Sequence, residues 1–258
     1  MDYKNLLKYA IQTGEIMLKS GAETSRVEDT INRILATSEF ETVESFVTPT
    51  GIFATLDDPS IEIISIIKRV HKREAHLHKI AQANDLSRRF CEGRIKLENA
   101  LEELERIKEQ KPYSNTVMVF AKGIGGGAFT MLLGGSLTDS TVTLLIGLAF
   151  ALVQVFFDRF ETSKFFEDIL CGAIIGSLAL FFYHFLKIGT NFDYIVIGSI
   201  MPLVPGVAIT NAIRDIIEGD FVSGISRGAD AFIVAASVAI GVGSILKIFY
   251  YFIGGIQI

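Results

Sequence analysis

The sequence predicts an α+β cytosolic domain, three strands plus helices, followed by an all-α membrane bundle of five transmembrane helices. Three observations lead there. Charge is concentrated in residues 1–115, whereas residues 116–258 carry long apolar runs. Five of those runs approach the roughly 20 apolar residues a helix needs to cross a bilayer. The first half mixes helical periodicity with a cluster of short β-branched segments, the pattern of a small α+β unit. The expected domains are therefore 1–112 and 113–258. A net charge of −5, with basic residues interspersed among Glu, gives no footprint for nucleic acid. Cys91 and Cys171 lie in different halves, which argues against a disulfide framework and fits a reduced cytosolic face. The opening M-D-Y-K-N-L-L-K has no apolar leader.

Tyr3–Lys19 carries Leu6, Leu7, Ala10, Ile11, Ile16 and Met17 at mostly helical spacing, and Ser20-Gly21 ends it. Ser25 followed by Glu28 is a capping-box pattern, so a second helix is expected over 25–37. Residues 42–47 and 52–56 read as strands around the turn Pro49-Thr50-Gly51. Residues 61–67 read as a third strand, apolar enough to be central and covered on both faces. A charged helical pattern from Arg73 to Ile107 divides at Gly93 into a packed pair, and Lys111-Pro112 closes the domain. On one helix His71, Glu74 and His78 would share a face and could ligate a metal. Their spacing is not H-E-x-x-H, and a solvated basic face is the favoured reading, so no metal and no cofactor is expected. Cys91, with no base in view, is expected to be buried. Glu23, Thr24, Arg26 and Asp29 cluster at a helix start, either as capping and surface charge or as a polar site facing the membrane half.

The expected spans are 117–137, 141–157, 169–186, 194–213 and 231–253. Arg159 and Lys164 lie in the second-to-third link, and Arg214 and Arg227 in the fourth-to-fifth. Cationic links face the cytoplasm, which puts the N-terminus inside and the C-terminus outside a cell membrane. Gly123, Gly125, Gly126, Gly127, Gly134 and Gly135 offer a face for close helix approach. Lys122 and Lys247 are charges within spans, read either as pathway groups or as snorkelling side chains.

The stretch around which the chain is organised is 201–220, M-P-L-V-P-G-V-A-I-T-N-A-I-R-D-I-I-E-G-D. Its apolar run breaks at Pro202, Pro205 and Gly206, then becomes amphipathic with Thr210, Asn211, Arg214, Asp215 and Asp220. Broken helices survive in lipid where the freed backbone meets protein or a wet cavity, and transporters place binding sites there. With Lys122, this is the candidate solute pathway. The neighbouring Arg214 and Asp215 suit a zwitterion or an organic acid. The plainer reading is a proline-kinked helix ending in an interfacial ion pair.

Two stretches carry a resemblance: G-E-I-M-L-K-S-G-A-E-T-S-R-V-E-D-T at 14–30, and P-L-V-P-G-V-A-I-T-N-A-I-R-D-I-I-E-G-D at 202–220. Together they resemble the bacterial threonine/serine exporter family, and the likeness runs over essentially the whole chain. It implies proton-driven export of small amino acids, a cytosolic N-terminal domain said to look distantly hydrolase-like, and a membrane bundle. The family's N-terminal motif falls on Gly21, Ala22, Glu23, Thr24, Arg26 and Glu28. Its membrane motif falls on Pro202, Pro205, Gly206, Asn211, Arg214, Asp215, Gly219 and Asp220. Long members carry a second hydrophobic half, which is not seen before Ile258. The chain thus resembles the split form, in which a second small membrane subunit supplies that half; one split type exports dicarboxylates such as succinate. The expectation is an oligomeric exporter subunit with a small-molecule substrate, coupled to protons through Asp215 or another buried acid. A membrane-anchored hydrolase and a ligand sensor are the rival readings.

Overall fold

The computed structural model describes residues 3–71, 74–110, 113–160 and 163–253, apart from the side chains of Arg159 and Ile253. Expectations placed on Arg73 and Lys111-Pro112 lie outside the described residues. The described chain is mostly helical with one three-stranded sheet. It forms two compact units, Met1–Lys111 with Gly206–Asp230, and Pro112–Pro205 with Ala231–Ile258.

In the first unit, α1 (Tyr3–Lys19) buries Leu6, Leu7, Ala10, Ile11, Ile16 and Met17, as its spacing predicts. It ends on Gly21, whose φ of 86° suits a residue without Cβ. The N–H of Gly21 donates to the Leu18 carbonyl (3.1 Å) and that of Ala22 to the Met17 carbonyl (3.0 Å), the paired bonds of a Schellman end. α2 (Thr24–Ala36) begins one residue before its expected start, and its N-cap Glu23 makes no side-chain cap bond. The capping box is therefore absent. Glu28 instead accepts from the Val47 N–H (3.1 Å), because the sheet edge offers a donor that the helix start would otherwise supply.

The strands β1 (Thr42–Thr48), β2 (Gly51–Asp57) and β3 (Ile64–Arg69) form an antiparallel meander in the order β1-β2-β3. β3 is thus an edge strand, not a central one, and Ile63 and Ile67 are exposed. Its apolar run has a different cause. The register sets Phe46, Phe53 and Ile67 side by side, and all three are exposed on the outer face. Ile52, Ala54 and Leu56 of β2 face the helical core.

α3 (Leu77–Cys91) and α4 (Leu97–Glu109) pack against each other across a turn at Gly93. The helical face proposed for His71, Glu74 and His78 does not form, because α3 begins only at Leu77. The N–H groups of Glu74 and His76 donate to the Lys19 and Ser20 carbonyls at the end of α1 (2.8 and 2.9 Å), and His76 Nδ1 accepts from the Lys79 N–H as a cap. No group of three metal-binding side chains occurs among the described residues. Cys91 is exposed rather than buried, since it is the last residue of α3 and lies in the wall of a cleft.

The apolar half holds α5 (Asn115–Leu132), α6 (Leu137–Phe157), α7 (Lys164–Leu180), α8 (Phe192–Ile200), α9 (Gly206–Ile217) and α10 (Phe221–Ile253). A π-helical turn, Phe181–Phe185, extends α7. By length and composition α6, the extended α7 and α10 can each cross a membrane, and α8 with α9 makes a fourth if the bent pair counts as one span. α5 occupies the first expected span, but Asn115, Lys122 and its glycines dilute its apolar character. In the second unit α5 and α6 touch backbone to backbone: a Cβ on Gly147 would lie 2.7 Å from the Cα of Gly123. Val142, Ile146, Phe150, Ile175, Ile195 and Val238 share the core. Leu132, Leu152, Phe166 and Phe232 point outward, so the bundle is apolar outside as well as inside, as a helix surrounded by lipid should be.

Candidate functional site

The helix break has a local cause. α8 ends at Ile200, a 3₁₀ turn spans Met201–Leu203, and Val204 is extended (φ −63°, ψ 127°). Proline disfavours the helical conformation in the residue before it, so Pro205 sets Val204 and the helix restarts at Gly206. The ring of Pro202 packs beside Gly126 on the glycine face of α5; a Cβ there would sit 3.7 Å from Pro202 Cγ. Gly206 has open space on its Cβ side.

Beyond the break the polarity is inverted. The buried residues of α9 are Asn211, Ala212 and Asp215, whereas Val207, Ile209, Ile213, Ile216 and Ile217 are exposed. The start of α10 repeats this: Ser223 and Arg227 are buried, and Phe221, Val222 and Ile225 are exposed. A water-soluble amphipathic helix does the opposite.

The inward polar groups meet the N-terminal motif within the first unit. Asn211 Nδ2 donates to the Gly21 carbonyl (2.8 Å), and Arg227 Nη2 donates to the Ala22 carbonyl (2.7 Å). Thr24 Oγ1 donates to Asp215 Oδ1 (2.9 Å), while Asp215 Oδ2 lies 3.0 Å from Arg227 Nε. That last contact is ionic; the N–H does not point along a hydrogen-bond line. The side chains of Asp215 and Arg227 are 0% and 6% exposed. At the rim, Arg214 Nη1 donates to Glu23 Oε1, and Ser25 Oγ to Glu218 Oε2.

The segment holds its shape through a second Schellman end. Gly219 has φ 93°; its N–H donates to the Ile216 carbonyl (3.1 Å) and that of Asp220 to the Asp215 carbonyl (2.8 Å). Asp220 Oδ1 then accepts from the Ser223 N–H (3.0 Å), capping α10. The two motifs therefore present the same device, a glycine-ended helix whose turn lies beside the shared polar cluster.

Of the residues singled out in the sequence, Gly21, Glu23, Thr24, Asn211, Arg214, Asp215 and Asp220 come together here. Arg214 and Asp215 diverge: the first reaches Glu23 at the exposed rim, the second is sealed against Thr24 and Arg227, so they do not present a joint zwitterion site. Arg26 stands 4.0 Å from Glu23 and lines a neighbouring cleft of about 320 Å³ with Arg33, Arg88 and Cys91 in its walls. Crowding there pushes the Cys91 thiol above the usual range, and Arg33 pulls it the other way. In the second unit Lys122 is half-buried and donates to Gln154 Oε1, and Lys247 is exposed. The sequence does not single out the carbonyls of Gly21 and Ala22 or Glu218, and it presents Ser25 as a cap and Arg227 as a link cation, not as site groups. The signal for Arg227 was present: with Ser223 it sits at i, i+4 on the polar side of an otherwise apolar helix start.

A helical bundle apolar on both faces, with a proline-broken helix and charges held inside it, is the build of a membrane transport protein. The family profile described as a threonine/serine exporter matches residues 8–249, and the chain belongs to that family. It is 24% identical over 246 residues to a Mycobacterium tuberculosis protein named "Probable threonine/serine exporter", covering 93% of this chain and 45% of that one. It is 22% identical to the threonine/serine exporter of Corynebacterium glutamicum, covering 92% and 50%. A Klebsiella aerogenes protein named "Probable succinate transporter subunit" is 22% identical, with 93% of both chains covered. The chain thus spans about half the length of the first two relatives. Family and relatives are transporters, not enzymes. No solved structure matches the chain.

Proposed function

We propose that the chain is the integral membrane subunit of a proton-driven secondary exporter and acts with a second membrane subunit. Its cargo is a small amino acid of the threonine or serine type. A second reading, a dicarboxylate such as succinate, is favoured by one observation: the relative covered over 93% of its length is named as a succinate transporter subunit. The membrane domain, 113–258, crosses five times, through α5, α6, the extended α7, the broken α8–α9 pair and α10. Residues 1–112 lie on the cytoplasmic side, in keeping with the cationic links, and the C-terminus lies outside. The pathway follows Pro202, Pro205, Gly206, Asn211, Arg214, Asp215 and Asp220, with Lys122 as a further polar group. Gly21, Glu23, Thr24, Arg26 and Glu28 belong to the motif that meets it from the cytoplasmic domain.

The observation that carries this reading is the inverted 206–227 segment. Its outward Val, Ile and Phe residues need lipid or a membrane partner, while its polar side is claimed by the N-terminal motif. That arrangement suits a gate at the cytoplasmic mouth of an exporter, where a polar latch can open to admit solute. The test is efflux from vesicles holding both subunits and loaded with threonine, serine or succinate. Arg214→Ala and Asp215→Asn should each abolish export while the protein remains inserted. Unchanged export by both variants would remove these residues from the pathway.

A further inference from the structure

Asp168, in the second turn of α7, is 2% exposed, and its Oδ2 is buried without a hydrogen-bond partner among the described residues. The charges that bear on it are Lys164 and Glu167 on its own helix and Lys122 on α5. Asp158, following α6, bears on Lys122 and Glu167, and Cys171 on Lys122. α8 and α10 also pack against α7. Lys122 Nζ donates to Gln154 Oε1, and no ion pair between Lys122 and Asp168 occurs among the described residues. Phe165 and Phe166, in the first turn of α7, are exposed, so the group sits near residues suited to lipid.

A lone carboxylate in such surroundings costs several kcal/mol, and such groups in membrane helices are functional candidates. Two events relieve that cost: binding a cation, or binding a proton. A metal ion needs several ligands, and no group of three His, Cys, Asp or Glu side chains that could hold one occurs among the described residues. A proton needs no room beyond the oxygen.

We infer that Asp168 is the proton-carrying site of this bundle. Per cycle one proton joins a carboxylate oxygen, leaving a neutral carboxyl, and later departs from the same oxygen; no electrons move. The inference rests on the exporter reading for its role in transport, but the protonation itself can be followed without transport.

The experiment uses both subunits in vesicles loaded with threonine, and in parallel with succinate. Asp168→Asn should lose efflux driven by an imposed pH gradient, falling to the level of empty vesicles, yet keep counterflow of labelled against unlabelled solute. Asp168→Glu should keep driven efflux with a displaced pH profile. In the purified wild-type chain, an infrared carboxyl C=O band should titrate with pH and be missing from Asp168→Asn. Driven efflux surviving in Asp168→Asn overturns the assignment. So does loss of both transport modes in inserted Asp168→Asn with no rescue by Asp168→Glu, which would mark a structural or solute-binding group. If the wild-type pair moves neither solute, the exporter reading fails, and the infrared band alone decides Asp168: a band unchanged in the variant overturns it.

Discussion

Asp215 and Asp168 are both aspartates buried on helices rich in apolar residues, yet they stand in opposite situations. Asp215 has a hydroxyl on one oxygen and a guanidinium by the other, and both partners are themselves buried. Asp168 has a buried oxygen with no hydrogen-bond partner among the described residues, and Lys122 of α5 is engaged by a glutamine. Burial alone does not distinguish a structural charge from a working one; the supply of partners does. A carboxylate held by a counter-ion holds two pieces of chain together. One without a counter-ion is free to change its state.

The contrast can be broken most forcefully with Arg227→Ala, which leaves the Asp215 carboxylate buried without its counter-ion. Removing one partner of a buried pair costs about 3–5 kcal/mol, read as a fall in the unfolding temperature of the detergent-purified chain. Asp168→Asn should leave that temperature unchanged or raise it, since no partner is lost. A large fall in Asp168→Asn with none in Arg227→Ala would invert the two roles. Thr24→Val removes a hydrogen bond to a charged group and should cost about 1.5–3 kcal/mol by the same measurement. Gly219→Ala forces a Cβ into a left-handed turn and should cost about 1–2 kcal/mol; an unaffected variant would show that the turn does not hold the segment against the motif. The smallest effect is expected from Arg214→Ala. Its partner bond lies at an exposed rim and contributes less than about 1 kcal/mol. Loss of export by this variant at nearly full stability would separate function from folding at that position.

Much of the first unit was legible because periodicity reports burial. The spacing of Leu6, Leu7, Ala10 and Ile11 located α1, and Gly21 and Gly93 marked the helix ends. The sheet misled in one respect: the unbroken apolar run at 61–67 reflects an exposed stripe shared with Phe46 and Phe53, not a central position. The two motif stretches were each recognisable, but their meeting was not. About 190 residues separate Thr24 from Asp215 (|i−j| 191), and no local pattern reports a pairing at that range. Arg227 served only as an indicator of membrane orientation, because a cation near a helix end ordinarily faces water. Asp168 was missed for a related reason. The expected third span starts at Ile169, which leaves the acid just before it outside the apolar run.

The inside-out character of 206–227 bears on how the molecule can be taken apart. A truncated chain ending near residue 110 would retain its own hydrophobic core but shed the side chains that cover the tip of its first helical hairpin. The backbone oxygens of Gly21 and Ala22 and the hydroxyl of Thr24 would then turn to water for the bonds that Asn211, Arg227 and Asp215 now provide. Dissection by the boundary that hydropathy suggests therefore cuts through this covering. A fragment that retains 206–230, held in detergent, keeps it whole.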